Sequence, residues 1–507
     1  MREFSKVFRT EDIPNIDRYT IENESISSVE LMERAASLWT DFFLTKSDNA
    51  SKIVVVAGNG NNGGDGYVIA RLLLDKGRDV TVVRPDISGK MSEDCRKNYE
   101  RYRAGGGNIQ EIESVHELEF TSGILIIDAI FGTGLNRQVE GIVAEVIRKI
   151  NESGNKVYSV DIPSGLMGED NSNNNSNAIV KADYTFTFQF PKLSFFLAEN
   201  EEYVGSWFVL DIHLNRKIMA EIETPYFILD KNTVRNLLPA SRKFAHKGSN
   251  GHGLLIAGSS GMMGASVLAA RAAVHSGVGL LTCHVPEMGG DVMQIAVPEA
   301  LLSKDDSPHF FSAINHLEKY SAVAVGPGLG KNPQTVRALR HLLKEWRGVT
   351  ILDADALNIL AENRDLFDLL HENCILTPHP KEFERLAGKS TNDFERLNKL
   401  STFAGRYRVS ILLKGAHTVI ASPSGGYYFN TTGNPGMAKG GMGDVLTGVL
   451  LALASNGMNV LDVILIGVYA HGLAADILAE EKGQRGISAG DVAEGMGKAW
   501  KELEMIG

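Results

Sequence analysis

Residues 53–66 read Ile53-Val54-Val55-Val56-Ala57-Gly58-Asn59-Gly60-Asn61-Asn62-Gly63-Gly64-Asp65-Gly66, and an apolar helical stretch from Tyr67 to Lys76 follows. A β-branched run that ends in a glycine-rich turn and leads into a helix opens a parallel α/β layer. Gly58, Gly60 and Gly63 also match the dinucleotide fingerprint G-x-G-x-x-G in its strand-to-helix setting. Two features argue against a hydride-transferring dehydrogenase. The next strand, Val80 to Val83, runs into Arg84 where an acid would be wanted, with Asp86 two residues later. Asp65 would moreover compete with a pyrophosphate for the amides at the helix start. Its bland reading is a helix N-cap.

The same pattern recurs on both sides of this stretch. In the first half, strands are expected at Ile124 to Asp128, Val157 to Asp161, Tyr184 to Phe188 and Trp207 to Leu210. In the second half they are expected at Leu254 to Ala257, Leu280 to Val285, Ala322 to Val325, Thr350 to Asp353, Cys374 to Thr377, Ser410 to Leu413 and Thr418 to Ala421. Asn215 to Pro225 carries neither a glycine motif nor a strand, so the boundary is set there, giving domains 1–222 and 223–507. Glu169 to Asn177, almost all Asn, Ser and acid, reads as a surface loop.

Bulk properties agree with two globular domains. The 507 residues exceed one ordinary core, and 43% hydrophobic with 22% charged residues suits folding. A net charge of -11 disfavours nucleic acid as a partner, whose phosphates are held by clustered Lys and Arg. Cys95, Cys283 and Cys374 are too few and too scattered for a disulfide framework or a metal ribbon. Met1 to Asp12 lacks the apolar core of a signal peptide. The most apolar run, Val463 to Ala470, is far short of a spanning helix, so no membrane partner is expected and the cytoplasm is the expected compartment.

Two further strand ends carry aspartates, Asp128-Ala129-Ile130-Phe131-Gly132-Thr133-Gly134 and Asp161-Ile162-Pro163-Ser164-Gly165. Open parallel sheets bind ligands at the carboxyl ends of their strands, so these loops and the Asp65 loop can meet in one crevice. Singly each aspartate is a common turn former, and the combination carries the weight. Together with Asn61 to Gly66, these segments resemble the NAD(P)H-hydrate epimerases over roughly residues 5 to 215. The resemblance implies a Rossmann-like three-layer αβα sandwich. It also implies that Asn61, Asn62, Gly63, Gly64, Asp65, Gly132, Thr133, Gly134, Leu135, Asn136, Arg137, Gln138 and Asp161 contact the hydrated cofactor, and that Asn62, Asp128 and Ser164 hold K+. These three are hard oxygen ligands suited to a non-redox cation. Asp161 is the catalytic candidate, either moving the proton or stabilising a cationic ring. Lys192 is a possible partner, though its ordinary reading is an exposed lysine.

The second half has no G-x-x-x-x-G-K-[ST], which removes support for a P-loop ATPase. It has instead Asn430-Thr431-Thr432-Gly433-Asn434-Pro435-Gly436-Met437-Ala438-Lys439-Gly440-Gly441-Met442-Gly443-Asp444, ahead of the apolar run Val445 to Leu453. Successive amides at a helix start make an anion hole, and an aspartate there can take a proton from an attacking hydroxyl. The alternative is that Asp444 merely caps the helix. Lys414-Gly415-Ala416-His417-Thr418 lies between two strands and by itself is an ordinary hairpin turn, while His379 stands between two prolines.

With Gly258-Ser259, Met263-Gly264-Ala265, Gly326-Pro327-Gly328-Leu329-Gly330 and Asp353-Ala354-Asp355-Ala356-Leu357, these motifs resemble the ADP- or ATP-dependent NAD(P)H-hydrate dehydratases of the ribokinase-like superfamily, over roughly residues 226 to 505. The resemblance implies a ribokinase-like αβα domain and contacts to the hydrate from Ala265, Gly328, His379 and catalytic Asp444. It assigns the nucleotide to Lys414, Gly415, Ala416, His417, Thr418 and Gly443, with Mg2+ on the phosphates. Met442 departs from a position where that family often has a small polar residue, which puts nucleotide packing in doubt. The resemblance as a whole implies a bifunctional repair enzyme for hydrated NADH and NADPH that uses ADP or ATP. A homo-oligomer is expected. Two alternatives stand beside it: a sugar or vitamin kinase fused to a nucleotide-binding module, and a first half that only senses ligand or oligomerises.

Overall fold

The computed structural model describes residues 4–48, 51–87, 89–240 and 243–505. In its first part, helices α1 (Ile13–Glu24) and α2 (Ser28–Lys46) precede strand β1 (Ile53–Ala57). Every residue of β1 is buried. Ile53, Val55 and Ala57 pack on one side with α2, while Val54 and Val56 pack on the other, as the two-residue period of a strand covered on both faces requires.

Helix α3 (Asn61–Asp75) leads to β2 (Val80–Pro85), α4 (Glu93–Ala104), β3 (Asn108–Ile112), β4 (Leu125–Ala129), α5 (Gly141–Glu152), β5 (Lys156–Val160), β6 (Tyr184–Phe188) and β7 (Ser206–Leu210). The seven strands are all parallel, in the order β3-β2-β1-β4-β5-β6-β7. α2, α3 and α4 cover one face and α5 the other, giving the three-layer sandwich. The chain reverses its winding between β1 and β4, where a doubly wound sheet opens its ligand crevice. β3 escaped sequence reading because Asn-Ile-Gln-Glu-Ile is a mostly exposed strand with no apolar run.

One expectation is corrected here. The helix does not begin at Tyr67 after a glycine loop; it begins at Asn61, with Gly63, Gly64 and Gly66 inside it. The reason is close packing. A Cβ on Gly63 would lie 2.0 Å from the Gly58 carbonyl oxygen, and one on Gly66 would lie 2.6 Å from Ala129 Cβ. Only glycine lets α3 descend this near to the ends of β1 and β4.

The second part contributes β8 (Tyr226–Leu229), β9 (His252–Ile256), α6 (Met263–Val274), β10 (Leu280–Val285), β11 (Leu301–Lys304), β12 (Ala322–Val325), β13 (Val349–Leu352), α7 (Asp355–Glu362), β14 (Cys374–Leu376), α8 (Pro380–Ala387), β15 (Ser410–Leu413), β16 (Val419–Ala421), β17 (Tyr427–Asn430), α9 (Met442–Ser455), α10 (Val460–Lys482) and α11 (Ala489–Glu504). Its ten strands lie side by side in the order β8-β17-β16-β15-β14-β13-β12-β9-β10-β11. All neighbours are parallel except the β15–β16 and β16–β17 pairs, which are antiparallel. α6, α9, α10 and α11 bury an alanine- and leucine-rich core together with strand residues such as Leu255, Ala324 and Ile351.

The chain divides into two compact units, Lys6–Thr224 with Asn392–Phe394 and, apart from these three, Pro225 onward. α10 alone among the described residues is long and apolar enough to cross a membrane by length and composition, yet 72% of its apolar window is buried in the fold. Its apolar length reflects burial among helices on nearly all sides.

Candidate active sites

In the first unit a cavity of about 880 Å³ opens at the β1–β4 reversal. Asn61, Asn62 and Asp65 from α3, Gly132 to Arg137 from the loop after β4, and Asp161 after β5 all line it. Gly63 and Gly64 do not, because they are buried against the Gly58 carbonyl and the Met32 side chain. Gln138 does not line it either; its amide donates to the Asn173 carbonyl. Gly60 is the N-cap of α3, so Asp65 is not a cap; its carboxyl belongs to the cavity wall. Burial, reinforced by Asp161 and Asp17, pushes the Asp65 carboxyl well above the usual carboxylate range.

Asp161 occupies a left-handed backbone conformation with φ 65°, rare for a residue with a side chain. Its Oδ1 accepts from Lys192 Nζ at 2.7 Å, Thr187 Oγ1 at 3.0 Å and the Phe188 amide at 3.0 Å. Lys192 is 2% exposed and also donates to Thr187 Oγ1 and the Phe190 carbonyl. The ordinary reading of Lys192 as a surface lysine is therefore wrong. Three partners for three protons explain how an ammonium can be buried here.

Asn62, Asp128 and Ser164 meet around Phe131. The Phe131 carbonyl accepts from Asn62 Nδ2 at 2.9 Å and from Ser164 Oγ at 3.2 Å, and the Phe131 amide donates to Ser164 Oγ at 2.8 Å. Asp128 is fully buried and accepts from Ser159 Oγ, the Ser164 amide, Ser164 Oγ and the Ile130 amide. Burial raises its pKa, and these hydrogen bonds oppose the rise.

In the second unit the chemistry-bearing loops follow β9, β12, β13, β14 and β15 and meet the start of α9. The Ser259 hydroxyl donates to the Gly328 carbonyl at 2.7 Å, and a Cβ on Gly328 would lie 3.2 Å from that of Ala265, so these two expected contacts are neighbours. The Gly330 amide donates to Asp355 at 2.8 Å. Asp353 was assigned no role from sequence. It is the hub, its Oδ1 accepting from Lys414 Nζ at 2.9 Å and Thr377 Oγ1 at 2.7 Å while its Oδ2 accepts from Thr447 Oγ1 at 2.8 Å. Burial alone would raise its carboxyl, but Lys414 and the hydroxyls hold it below the usual range.

Gly441, with φ 91°, is the N-cap of α9, so the capping reading of Asp444 fails: Asp444 sits in the first turn. Burial and the nearby Asp353 push its carboxyl up to about 6 against the opposing pull of Lys414. A Cβ on Gly443 would lie 3.2 Å from Lys414 Nζ, which brings Gly443, Asp444 and Lys414 together. Gly415, Ala416, His417 and Thr418 turn between β15 and β16, with Thr418 Oγ1 hydrogen-bonded to Gly415 and His417 Nδ1 near the Asn430 carbonyl. The hairpin-turn reading of that segment therefore holds. His379 caps α8, its Nδ1 accepting from the Lys381 and Glu382 amides while its Nε2 lies 3.5 Å from Glu382 Oε1. Met442 is buried in the helical core, pointing its bulk into packing.

Residues 28–194 match the family described as YjeF-related protein N-terminus, and residues 253–496 the family described as NAD(P)H-hydrate dehydratase. The chain is 35% identical to the bifunctional NAD(P)H-hydrate repair enzyme of Moorella thermoacetica over 97% of this chain and 96% of that one. It is 32% identical to the enzyme of the same name from Escherichia coli over 96% of this chain and 92% of that one. Among solved structures, a ribokinase-like superfamily protein from Enterococcus faecalis superposes with a TM-score of 0.50 at 24% identity, covering 56% of this chain and 98% of that one.

Proposed function

Since this chain belongs to the bifunctional NAD(P)H-hydrate repair enzymes, we propose that its first unit, Lys6–Thr224, interconverts the R and S hydrates of NADH and NADPH, and that its second, from Pro225 onward, dehydrates the S form with ADP or ATP as phosphoryl donor. The observation that carries this reading is that each unit has its own strand-end site in which an aspartate lies beside a lysine ammonium. These are Asp161 with Lys192, and Asp444 with the Lys414–Asp353 pair.

For dehydration, hydroxide is a poor leaving group and phosphate a good one. Asp444 takes the proton of the hydrate hydroxyl as its oxygen attacks the terminal phosphoryl group, the ring nitrogen then expels phosphate, and the adjacent ring carbon loses a proton to water, which restores the dihydropyridine. A carboxyl near 6 is mostly ionised at neutral pH yet basic enough to accept that proton. Gly443 leaves the Lys414 ammonium open to the phosphates, while His379, Ala265 and Gly328 form the hydrate side. No cluster of three or more His, Cys, Asp or Glu able to hold a metal exists among the described residues. Mg2+ would enter with the nucleotide, offsetting the charge of its phosphates.

In the first unit, Asn62 Oδ1, the Phe131 carbonyl, Ser164 Oγ and Asp128 form an oxygen-only set that fits K+. As a ligand, Asp128 would exchange one of its hydrogen bonds for the cation. The bound ion would offset the buried Asp128 charge and tie α3 to the loop after β4.

The test is to incubate the chain with mixed hydrate epimers and follow both epimers by chromatography and the dihydronicotinamide absorbance. Without nucleotide the epimers should interconvert and no absorbance should return. With ADP or ATP both should be consumed and phosphate released. A stable phosphorylated hydrate as end product would refute the dehydratase reading.

A further inference from the structure

Helix α1 brings to the first cavity a residue for which sequence gave no role. Asp17 lines the same wall as Asp65 and Asp161, on a helix that precedes the matched segment 28–194. Asp17, Asp65 and Asp161 thus line the cavity together with the buried Lys192 ammonium, and all three protons of Lys192 are already committed to Asp161, Thr187 and the Phe190 carbonyl. Like charges so close cannot all be ionised, so the group retains a proton.

We propose that Asp17 is the acid that protonates the hydroxyl on the ring carbon of the hydrate during epimerisation, a role that rests on the epimerase reading of this cavity. Asp17 gives its proton to the hydroxyl oxygen. The C–O bond breaks, its electron pair leaving with water, and the ring nitrogen lone pair stabilises the resulting cationic ring. A water molecule then adds to the opposite face and returns a proton to Asp17. Atoms and charge balance over the cycle, and the only co-reactant is water. Asp161, fixed by its three donors, the Lys192 ammonium among them, faces the cation as a permanent partner.

Asp17 suits the acid better than Asp65 does. It is half-buried, so water can reload it, whereas Asp65 is enclosed. Burial, with Asp161 adding and Lys192 subtracting, raises the Asp17 carboxyl to about 6, near the value an acid needs at working pH. Burial, with Asp161 and Asp17 beside it, pushes the Asp65 carboxyl well above its usual range. The charged groups around the cavity are Asp65 on α3, Asp94 on α4, Asp161 after β5, Lys192 after β6 and Arg137 in the loop after β4, with Arg18 and Glu22 on its own helix.

The experiment measures interconversion of the purified hydrate epimers by the full chain in potassium buffer without nucleotide, from pH 5 to 9, for wild type, Asp17→Asn and Asp17→Glu. The wild-type rate should fall as pH rises through about 6, because the acid is lost. Asp17→Asn should be slower by about a hundredfold to ten-thousandfold and lack that limb. Asp17→Glu should recover part of the rate and the limb with it. An Asp17→Asn chain with the wild-type rate, or a slower one that keeps the wild-type limb, overturns the proposal while leaving the epimerase reading intact. A wild-type chain that leaves the epimers unchanged overturns both.

Discussion

Replacing Asp444 with Asn should make the protein far less active and, at neutral pH, more stable. The ordinary value of an aspartate is 3.8 and the folded site raises it to about 6, so ionising this carboxyl costs the folded state about 3 kcal/mol at full strength. Partial exposure to solvent reduces that to roughly 1–2 kcal/mol. The sign follows from the raised value. Below about pH 4 the group is protonated in both folded and unfolded chains and imposes no penalty; the penalty grows between pH 4 and 6 and is complete above 6. Asn resembles the protonated form, so its stabilisation should be full at pH 8 and absent at pH 4. The cap is untouched, since Gly441 rather than Asp444 occupies the N-cap, and the small favourable interaction of a first-turn carboxylate with the helix dipole is outweighed by the burial penalty. Dehydration of the S hydrate should fall about a hundredfold to ten-thousandfold, the usual range for one general base, while epimerisation is unchanged. Dihydronicotinamide recovery and thermal melting at pH 8 and pH 4 measure both effects. A variant that melts earlier than wild type at pH 8, or that keeps its dehydration rate, would refute the reasoning.

Lys192→Met should destabilise the first unit by about 3–5 kcal/mol, because it leaves Asp161 charged and underpaired in a buried setting, and chemical denaturation followed by epimerase assay reads both consequences. Gly63→Ala places a Cβ 2.0 Å from a backbone carbonyl, an overlap no side-chain rotation relieves; epimerisation should be lost and the unit weakened by at least roughly 1–3 kcal/mol, with dehydration of the S form retained. Asp128→Ala should weaken epimerisation and its response to K+ over Na+ without touching dehydration; equal loss of both activities in a folded variant would count against a local ion site.

Most sheet strands were visible in sequence because parallel strands buried on both faces are written as uninterrupted small or β-branched apolar residues, as in β1 and β12. β3 and β11 were not visible, since Asn-Ile-Gln-Glu-Ile and Leu-Leu-Ser-Lys are partly exposed edge strands whose pairing comes from the neighbouring strand. The glycine-rich segments announced two sites but misled about their form. Gly63, Gly64 and Gly66 lie within a helix to permit a close approach rather than in a loop to wrap a ligand. Asp17 stayed hidden for a different reason: a single acid on an amphipathic helix carries no local signature; Lys192, a single lysine after a proline, could be read only as a possible partner, and the tertiary fold is what brings both to Asp161. Asp353 was quoted within a motif, but its office as the anchor of Lys414 needed the three-dimensional neighbourhood of Thr377 and Thr447.

The long buried helix α10 has a consequence for biosynthesis. On the ribosome it emerges before α11, the helix that packs against it, has been made. During that interval the nascent chain displays a segment with the length and apolarity of a membrane anchor and nothing of its own yet synthesised to close the far side. Chaperone engagement at this point, and aggregation of chains interrupted near Lys482, are the vulnerabilities that such an order of synthesis creates.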